Sequence, residues 1–308
     1  MIEYPKVRRY STVRKIKEIL KDTDVIEVSE KIDGANASFC IDLTKREGII
    51  GFSREKRVTE KDNLNGFYTF IVEEVIKNKK YLNENYVYFG EWLTEHKVKY
   101  NESCYNKFYL FDIYDKKEKR WLTPMEKQKE MRYSLVFIKS LIAVPSAIIT
   151  YSEFNRDYET VKKVQDKMLY KINNNPEGFV FKVYDKTYKD EPLFFKIVDP
   201  KFEEVKLTPK NMSDDIALME TICTENRVSK IILKLLDDNT ITDEELDVEN
   251  MFNLMNIVIP KVIEDILEEE VEIIEEWKTS GLILEDRVVK TIRKITPKHI
   301  IKFIEGLD

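Results

Sequence analysis

The sequence predicts an α+β fold in two parts: antiparallel strands with a few helices over residues 1–205, then a small all-helical domain over residues 210–308. Before residue 205, short segments recur in which apolar and polar residues alternate, and aromatic and β-branched residues are frequent in them. This period of two is typical of antiparallel strands with one buried face. After Leu207, apolar residues recur at spacings of three and four, as on one face of a helix. A mixed region followed by helices alone favours two domains.

The predicted elements follow one another in a definite order. The strand segments are VIEVSEKI, ANASFCID, GIIGFS, YVYFGEWL, KFYLFDIYD, EGFVFKVYD and PLFFKIVD. Helical spacing covers residues 11–20, 64–80, 123–142 and 152–172. In the C-terminal part, Thr242 marks a helix start, and Pro260 and Pro297 mark kinks or helix starts.

Composition excludes several classes of protein. With 43% hydrophobic and 35% charged residues, the chain is globular and not disordered. Its three cysteines show no CxxC spacing, and His96 and His299 show no ligand spacing, which argues against a zinc site and histidine-based catalysis. No apolar run is long enough to span a membrane. Without a basic, apolar leader, the predicted location is the cytoplasm.

The charge is unevenly distributed along the chain. Residues 1–208 contain 39 basic and 34 acidic residues, whereas residues 209–308 contain 12 basic and 23 acidic residues. The net charge of −6 combines a mildly basic first part with an acidic second part. The net charge of the whole chain therefore says little about nucleic-acid binding.

Lys31 lies in the segment EKIDGANASF, two residues before Asp33-Gly34, in a stretch that otherwise has strand character. One interpretation is a surface charge beside a tight turn. The other is a nucleophile. A lysine that attacks phosphorus must lose its proton, and the charge that develops on the phosphate must be neutralised by Mg²⁺ and basic groups. The second interpretation predicts carboxylates, further cations and an aromatic face on neighbouring strands.

Other predicted strands contain charged residues that fit this requirement. They are Glu91, Asp112, Glu177, Lys182 and Lys196. A charged residue within an apolar strand is costly unless it is paired or faces a cavity. Taken singly, Glu91 and Glu177 could be surface carboxylates at strand ends, and Phe111 could be a core residue. Their shared order along the chain favours a single site.

The ordered segments KIDG, FGE, FDIYD and EGFVFK, followed by a lysine-bearing strand, resemble the nucleotidyltransferase motifs of ATP-dependent polynucleotide ligases and capping enzymes. EKIDGAN followed by a strand of small residues is most similar to the RNA ligase 2 family, whereas DNA ligases usually have arginine at the position of Asn36. The resemblance covers about residues 25–205. It implies an antiparallel-sheet, ATP-grasp-like adenylyltransferase domain with ATP bound between sheets.

The resemblance also implies a role for each matching residue. Lys31 is expected to attack the α-phosphorus of ATP and form lysyl-AMP. The implied nucleotide contacts are Glu30 to the adenine amino group, Asn36 to the α-phosphate or its metal-bound water, Arg54 or Arg57 to a phosphate or the RNA end, Glu91 to the ribose and Phe111 to the adenine face. The implied catalytic groups are Glu177 as a ligand of hydrated Mg²⁺ or Mn²⁺, and Lys182 and Lys196 on the phosphates. Separately from the resemblance, Asp112 is expected to face a metal ion, to support its ligands, or to be satisfied by backbone at a strand edge.

One departure from the family pattern concerns the last motif. The family usually has two lysines flanking one residue, whereas this chain has Lys196-Ile197-Val198. The second cation is therefore missing or supplied by a residue elsewhere.

The predicted function is an ATP-dependent RNA ligase that joins 3′-OH and 5′-phosphate ends through lysyl-AMP and RNA-adenylate, with the helical domain assisting RNA engagement or domain closure. A nicked duplex and a cleaved tRNA are both compatible substrates, held by backbone and 2′-OH contacts. No membrane partner is expected, and no protein partner can be inferred. The alternatives are a DNA ligase or capping-type guanylyltransferase, which usually carry a β-barrel domain, and a nucleotide- or RNA-end-binding module with weakened catalysis.

Overall fold

The computed structural model describes residues 2–10, 16–44, 48–54, 56–154, 162, 172–173, 176–202 and 215–306. The chain divides into two units, Met1–Asp199 and Pro200–Asp308. The first unit contains two sheets and short helices, and the second unit contains helices. The α+β fold class predicted from the sequence is thereby confirmed. Most of the predicted helix over 152–172 lies outside the described residues.

The first sheet brings strands from distant parts of the sequence together. Its strands are β1 (Arg8–Arg9), β2 (Val25–Lys31), β9 (Ser146–Thr150), β10 (Gly178–Tyr188) and β11 (Glu191–Val198). Their order across the sheet is β1-β11-β10-β2-β9. β1 pairs parallel to β11, and the other neighbours pair antiparallel. The strand that carries Lys31 therefore lies inside the sheet, between β9 and β10.

The second sheet is built mainly from consecutive strands. Its strands are β3 (Ala35–Ile41), β4 (Ile49–Ser53), β5 (Tyr86–Leu93), β6 (Lys107–Asp115), β7 (Arg120–Trp121) and β8 (Leu141–Ala143). The order is β4-β3-β5-β6-β7, and β8 pairs parallel to β6. The strand segments expected from alternation in both sheets form strands whose ends lie within three residues of the predicted ends.

Each sheet has one face packed into an apolar cluster and one face that carries the charged motif residues. In β2, Ile26 and Val28 belong to a buried cluster, so strand alternation turns Lys31 to the opposite face. In β3, Ala37 belongs to a second cluster, and Asn36 points the other way. We call the sheet faces that carry Lys31 and Asn36 the inter-sheet face.

The helices of the first unit are short. They are α1 (Ile16–Ile19), α2 (Phe67–Phe70), which continues as a π turn (Ile71–Val75) and a 3-10 helix (Ile76–Tyr81), and α3 (Pro124–Tyr133). Helix α3 begins with a capping box in which Thr123 accepts a hydrogen bond from the Glu126 backbone.

The predicted helix over 123–142 is only partly correct. It ends at Tyr133 and is followed by a 3-10 turn, Leu135–Phe137, and by β8. Leu141 is buried and lies opposite Phe108 in the parallel pair of β8 with β6. A strand this short is set by its distant partner, so local spacing does not reveal it.

The second unit is formed by helices around one apolar cluster. They are α4 (Asp215–Met219), α5 (Glu225–Asp237), α6 (Met251–Glu269), α7 (Val271–Thr279) and α8 (Glu285–Glu305). Pro260 and Pro297 lie inside α6 and α8, not at helix starts. Thr242 does begin a turn of helix, with a capping box to Glu245.

Buried charge in the second unit is paired. The guanidinium of Arg227 binds the carboxylates of Asp265 and Glu270. Throughout the described residues, the helices are too short or too polar to cross a lipid bilayer.

Candidate active site

Lys31 and Glu177 form an ion pair at the end of two neighbouring strands. The Lys31 Nζ lies 2.5 Å from the Glu177 Oε2. Lys31 is opposite Gly178 in the β2–β10 ladder, and Glu177 directly precedes that glycine. The Lys31 side chain keeps 16% of its area exposed, whereas Glu177 is buried. The amine is thus held by a carboxylate and still accessible from solvent.

Two glycines let neighbouring backbone segments come close to one another around the Lys31–Glu177 pair. A Cβ at Gly34 would lie 2.7 Å from the Trp92 carbonyl oxygen, and a Cβ at Gly178 would lie 2.2 Å from the Ile197 carbonyl oxygen. Neither space accepts a side chain. The glycines of the KIDG and EGF segments therefore let β2, β5 and β11 come close around Lys31.

Asp33 of the KIDG segment holds the loop after β5. Its backbone N–H donates to the Tyr100 hydroxyl at 2.9 Å, and its Oδ2 accepts from the Val98 backbone N–H at 3.0 Å. The Oδ1 lies 3.8 Å from the Nδ1 of His96. These contacts give Asp33 a structural role, because they fix the loop that follows β5.

The register of the first sheet shows which cations share a face with Lys31. Residues directly opposite one another on paired strands point to the same face. Lys196 lies in one such row with Val180 and Ser29, and Val198 lies in the row of Gly178 and Lys31. Lys196 therefore joins Lys31 on the inter-sheet face. The position where the family usually has its second lysine is in line with Lys31 and carries an apolar side chain.

Arg9 is a cation that the sequence analysis missed. It lies opposite Lys196 in the parallel β1–β11 pair and is buried. β1 is only two residues long. A strand that short has no readable alternation, so the sequence offered no signal for Arg9.

A β-bulge presents Phe111 and Asp112 together. The β5–β6 ladder pairs Phe89 with Asp112 and then Gly90 with Leu110, so Phe111 has no opposite residue. The extra residue turns both side chains towards the first sheet. The Phe111 carbonyl accepts hydrogen bonds from the Lys127 Nζ at 2.9 Å and the Lys182 Nζ at 3.0 Å.

Asp112 is the centre of a buried charge network between the sheets. Its carboxylate lies 2.8 Å from the Lys182 Nζ and 3.1 Å from the Lys127 Nζ. The Lys127 Nζ also lies 2.7 Å from Glu27. The Tyr184 hydroxyl lies between Glu27 and Asp112, at 2.6 Å and 2.7 Å. We call Glu27, Asp112, Lys127, Lys182 and Tyr184 the closed network.

Burial and neighbouring charges shift the pKa values of Asp112, Lys127 and Lys182 in the closed network. Burial alone would raise the pKa of Asp112, but the positive charges of Lys127 and Lys182 lower that pKa to about 2. Burial acts to lower the pKa of Lys127, yet Asp112 and Glu27 outweigh it and raise that pKa. Burial lowers the pKa of Lys182, and Asp112 opposes this effect. Two carboxylates are balanced by two ammonium groups, which a buried ionic cluster requires.

These contacts bear on two assignments from the sequence. Lys182, only 1% exposed, binds Asp112 and the Phe111 carbonyl, and its contact to a phosphate stays a prediction. Asp112 has its two oxygens engaged by lysine and tyrosine side chains, Tyr4 among them. Because protein cations already occupy that carboxylate, we do not carry its metal-facing role forward.

Of the remaining predicted nucleotide contacts, two lie on the inter-sheet face and two are exposed arginines near the end of β4. Asn36 and Glu91 are directly opposite each other on β3 and β5, on the inter-sheet face. Arg54 is exposed just after β4, and Arg57, also exposed, bridges back to Phe52. The structure thus brings Asn36, Glu91 and Phe111 onto one sheet face.

Glu30 lies on the other face of β2. It is opposite Phe179, a member of the apolar cluster, and its Oε2 accepts from the Ile172 backbone N–H at 3.3 Å. Burial raises the pKa of Glu30 to about 7, against the lowering effect of the Ile172 and Asn173 backbone. Strand alternation therefore places this carboxylate on the face of β2 opposite to Lys31, and its adenine contact stays a prediction.

A metal ion would have few protein ligands here. In the part of the chain that the structure describes, no group of three or more His, Cys, Asp or Glu side chains could hold one. Mg²⁺ often keeps several waters and binds one carboxylate plus substrate phosphates. Glu177, beside Lys31, fits that mode of binding.

The fold and the order of these motif residues define the chain as a member of the nucleotidyltransferase superfamily. The family model described as RNA ligase matches residues 24–198, more than half of the chain. The chain belongs to the RNA ligase family. A comparison with curated proteins found no match.

Among solved structures, the chain is similar to the RNA ligase of Naegleria gruberi. An apo mutant of that ligase has 22% sequence identity over 66% of this chain and 57% of its own, with a TM-score of 0.48. The ligase with PPi has 21% identity over 66% and 57%, with a TM-score of 0.46. A mutant with ATP and Mn has 21% identity over 66% and 56%, with a TM-score of 0.47. The match therefore spans less than two thirds of those ligases.

Proposed function

We propose that the protein is an ATP-dependent RNA ligase in which Lys31 is the nucleophile. The observation that carries this proposal is the partly exposed Lys31 amine paired with the buried Glu177 carboxylate. After the Lys31 ammonium loses a proton to solvent, the neutral amine attacks the α-phosphorus of ATP, the bond from that phosphorus to the bridging oxygen breaks, and pyrophosphate leaves. The AMP then passes to an RNA 5′-phosphate, and attack by a 3′-OH joins the ends and releases AMP.

The groups around Lys31 have separate tasks in this proposal. Phe111 stacks on adenine, and Asn36 and Glu91 bind the ribose and α-phosphate side of the nucleotide. Lys196 contacts the phosphates, and Arg9, opposite it in the sheet, supplies the second positive charge that Val198 cannot provide. Cations placed where negative charge develops are the main catalytic device in phosphoryl transfer.

A divalent metal would be held by Glu177 through its water shell. Bound Mg²⁺ or Mn²⁺ would neutralise charge on the phosphates. Glu177 itself orients the Lys31 amine by ion pairing. In the two-unit organisation, we assign adenylyl transfer to the first unit and RNA engagement or closure to the helical unit.

The experiment is incubation with α-labelled ATP and Mg²⁺, followed by addition of a nicked RNA with a 5′-phosphate. We expect a labelled protein adduct, its loss on RNA addition, and a sealed strand. Lys31→Ala should form no adduct, whereas Lys186→Ala, which removes a lysine paired with Asp24 on the same sheet, should form it normally. Full labelling of Lys31→Ala would contradict the nucleophile assignment.

Val198 supports a second candidate function, an RNA-end- or nucleotide-binding module with weakened catalysis. That protein would bind ATP without accumulating adduct under the same conditions. Replacing ATP by GTP tests a capping-type guanylyltransferase, and replacing the nicked RNA by nicked DNA tests a DNA ligase.

A further inference from the structure

Two aromatic rings are stacked on the surface of the first unit. Tyr81 ends the 3-10 helix that follows α2, and Phe137 ends the 3-10 turn that follows α3. Their ring centroids are 3.8 Å apart with an interplanar angle of 17°. Each ring covers one face of the other. Phe137 is 46% exposed, and the part of its ring that remains accessible to solvent is the outer face and the edges.

Further apolar side chains extend this surface. Tyr133 is 71% exposed, and Val136 is also exposed. Tyr133 is the last residue of α3, and the 3-10 turn Leu135–Phe137 follows it after a single residue, so the exposed Tyr133 and Val136 side chains are close to Phe137 in sequence. Large contiguous apolar groups on a protein surface commonly mark an interaction site.

Cations surround these rings. Lys77 and Lys80 are three residues apart in a 3-10 helix, where such side chains eclipse. The Lys80 Nζ lies 4.8 Å from the Tyr81 ring centroid. Arg132 and Lys139 flank the second ring in sequence, and both are exposed.

Few negative charges compete for these cations. Residues 77–81 and 132–139 contain no Asp or Glu. The nearby Glu74 carboxylate accepts hydrogen bonds from Ser140, and Glu130 accepts one from the Tyr88 hydroxyl. The described contacts include no ion pair to Lys77, Lys80, Arg132 or Lys139, so their charge is available to a polyanion.

We propose that this surface, formed by Lys77, Lys80, Tyr81, Arg132, Tyr133, Phe137 and Lys139, binds a single-stranded stretch of the RNA substrate. Stacking of bases on aromatic rings and attraction of phosphates to lysine and arginine are the two components of single-strand binding. Protein interfaces are depleted in lysine at their centres, which favours a nucleic-acid partner over a protein. The identity of the partner as RNA depends on the proposed function.

The first test measures binding of a labelled RNA of about 12 nucleotides, a usual site size, by fluorescence anisotropy. The RNA carries 5′-OH and 3′-deoxy ends, so it cannot be joined. We expect Phe137→Ala to weaken binding about 5- to 150-fold and Phe137→Tyr, which keeps the ring, to bind as the wild type does. Circular dichroism and thermal unfolding establish that both variants are folded.

The second test measures the salt dependence of the same binding. Lys77→Gln with Lys80→Gln should reduce the slope of log affinity against log salt by about 1.4, because each lost phosphate contact removes about 0.7. Lys21→Gln with Lys186→Gln removes the same charge near the start of β2 and should leave the slope unchanged.

Unchanged RNA affinity in Phe137→Ala together with an unchanged slope in the lysine variant would overturn the proposal. Equal weakening by the control pair would overturn it too, because general charge would then explain the binding. Wild-type adduct formation from ATP is recorded separately. A wild type that forms adduct while the surface variants bind RNA normally contradicts this inference and leaves the proposed function intact.

Discussion

Lys31 and Lys182 share one face of the first sheet but have opposite surroundings. Lys31 has Glu177 beside it and remains 16% exposed. Lys182 lies opposite Glu27 on β2, is sealed from solvent, and binds both Asp112 and the Phe111 carbonyl. The first lysine can be reached by a substrate, and the second cannot.

Under the proposed function, the same residue type serves two purposes in one site, with Lys31 as the nucleophile and Lys182 as a positioning amine. A nucleophile must meet its substrate, so complete burial would prevent its reaction. A positioning amine gains from burial, because Coulomb attraction is stronger where water is excluded. The closed network uses that gain to tie β2, β6 and β10 to α3, and its two amines fix the carbonyl of Phe111.

The largest expected effect comes from changing the chemistry of Lys31 without removing its charge. Lys31→Arg keeps a cation beside Glu177, but a guanidinium does not deprotonate in proteins and cannot act as the nucleophile. We expect adduct from labelled ATP to fall below detection while the urea unfolding midpoint stays close to that of the wild type. Lys186→Arg is the matched control and should form adduct normally. Adduct in Lys31→Arg would show that a different residue is labelled.

The closed network gives the second largest effect, on stability. Lys127→Met leaves Glu27 without its ammonium partner and removes one of the two cations on Asp112. Breaking a buried ion pair costs about 3–5 kcal/mol, which urea unfolding measures. Lys129→Met, on an exposed position of the same helix, should change the free energy of unfolding by no more than about 0.5 kcal/mol. Equal effects of the two variants would mean that Lys127 is not held as described.

Much of the sheet structure could be predicted from the sequence. The segment KFYLFDIYD forms β6 with the predicted bounds, Lys107–Asp115, because its alternation and aromatic content are local signals. The proximity of Lys31 and Glu177 was also expected. The burial of Lys127 and its contacts with Glu27 and Asp112 were not expected, because the segment PMEKQKEM gives no sign that this lysine differs from an exposed helix residue.

For several predicted site residues the structure shows protein contacts that the sequence did not reveal, and these cases have a common physical reason. A carboxylate or amine in a strand can face a substrate or another buried charge, and alternation alone does not decide between these. One of the two lysine partners of Asp112 is Lys127 on α3, and local sequence does not reveal how that helix packs against the sheets. Glu27 did carry a signal, since it interrupts the apolar run VIEVSEK.

Glu30 tests whether the two faces of β2 are separated as described, through the pH dependence of stability. Its pKa is raised to about 7 by burial from the ordinary value of 4.5. The folded state then binds a proton more tightly than the unfolded chain, so this carboxyl favours folding below pH 4.5 and that contribution is lost as pH rises towards 7.

Glu30→Gln removes this titration. At pH values above 7 we expect the variant to be more stable than the wild type by about 3 kcal/mol, the equivalent of the shift at 1.36 kcal/mol per unit. The difference should disappear below pH 4.5. Urea unfolding across this range measures it, with Glu95→Gln, an exposed carboxyl, as the control. A constant difference at all pH values would place Glu30 in solvent or near a cation.

Tyr184 gives the smallest effect and shows how the closed network shares its hydrogen bonds. Its hydroxyl is close to Glu27, Asp112 and the Lys127 Nζ, but one proton can serve only one carboxylate at a time. Tyr184→Phe should therefore cost about 1–2 kcal/mol of unfolding free energy, less than Lys127→Met, because both carboxylates keep an ammonium partner. In a double variant with Lys127→Met, the loss of unfolding free energy should differ from the sum of the two single losses, because the two groups share partners. Additive effects of the two substitutions would show that the hydroxyl and the amine act on separate parts of the closed network. The members of the network would then be less tightly coupled than their distances indicate.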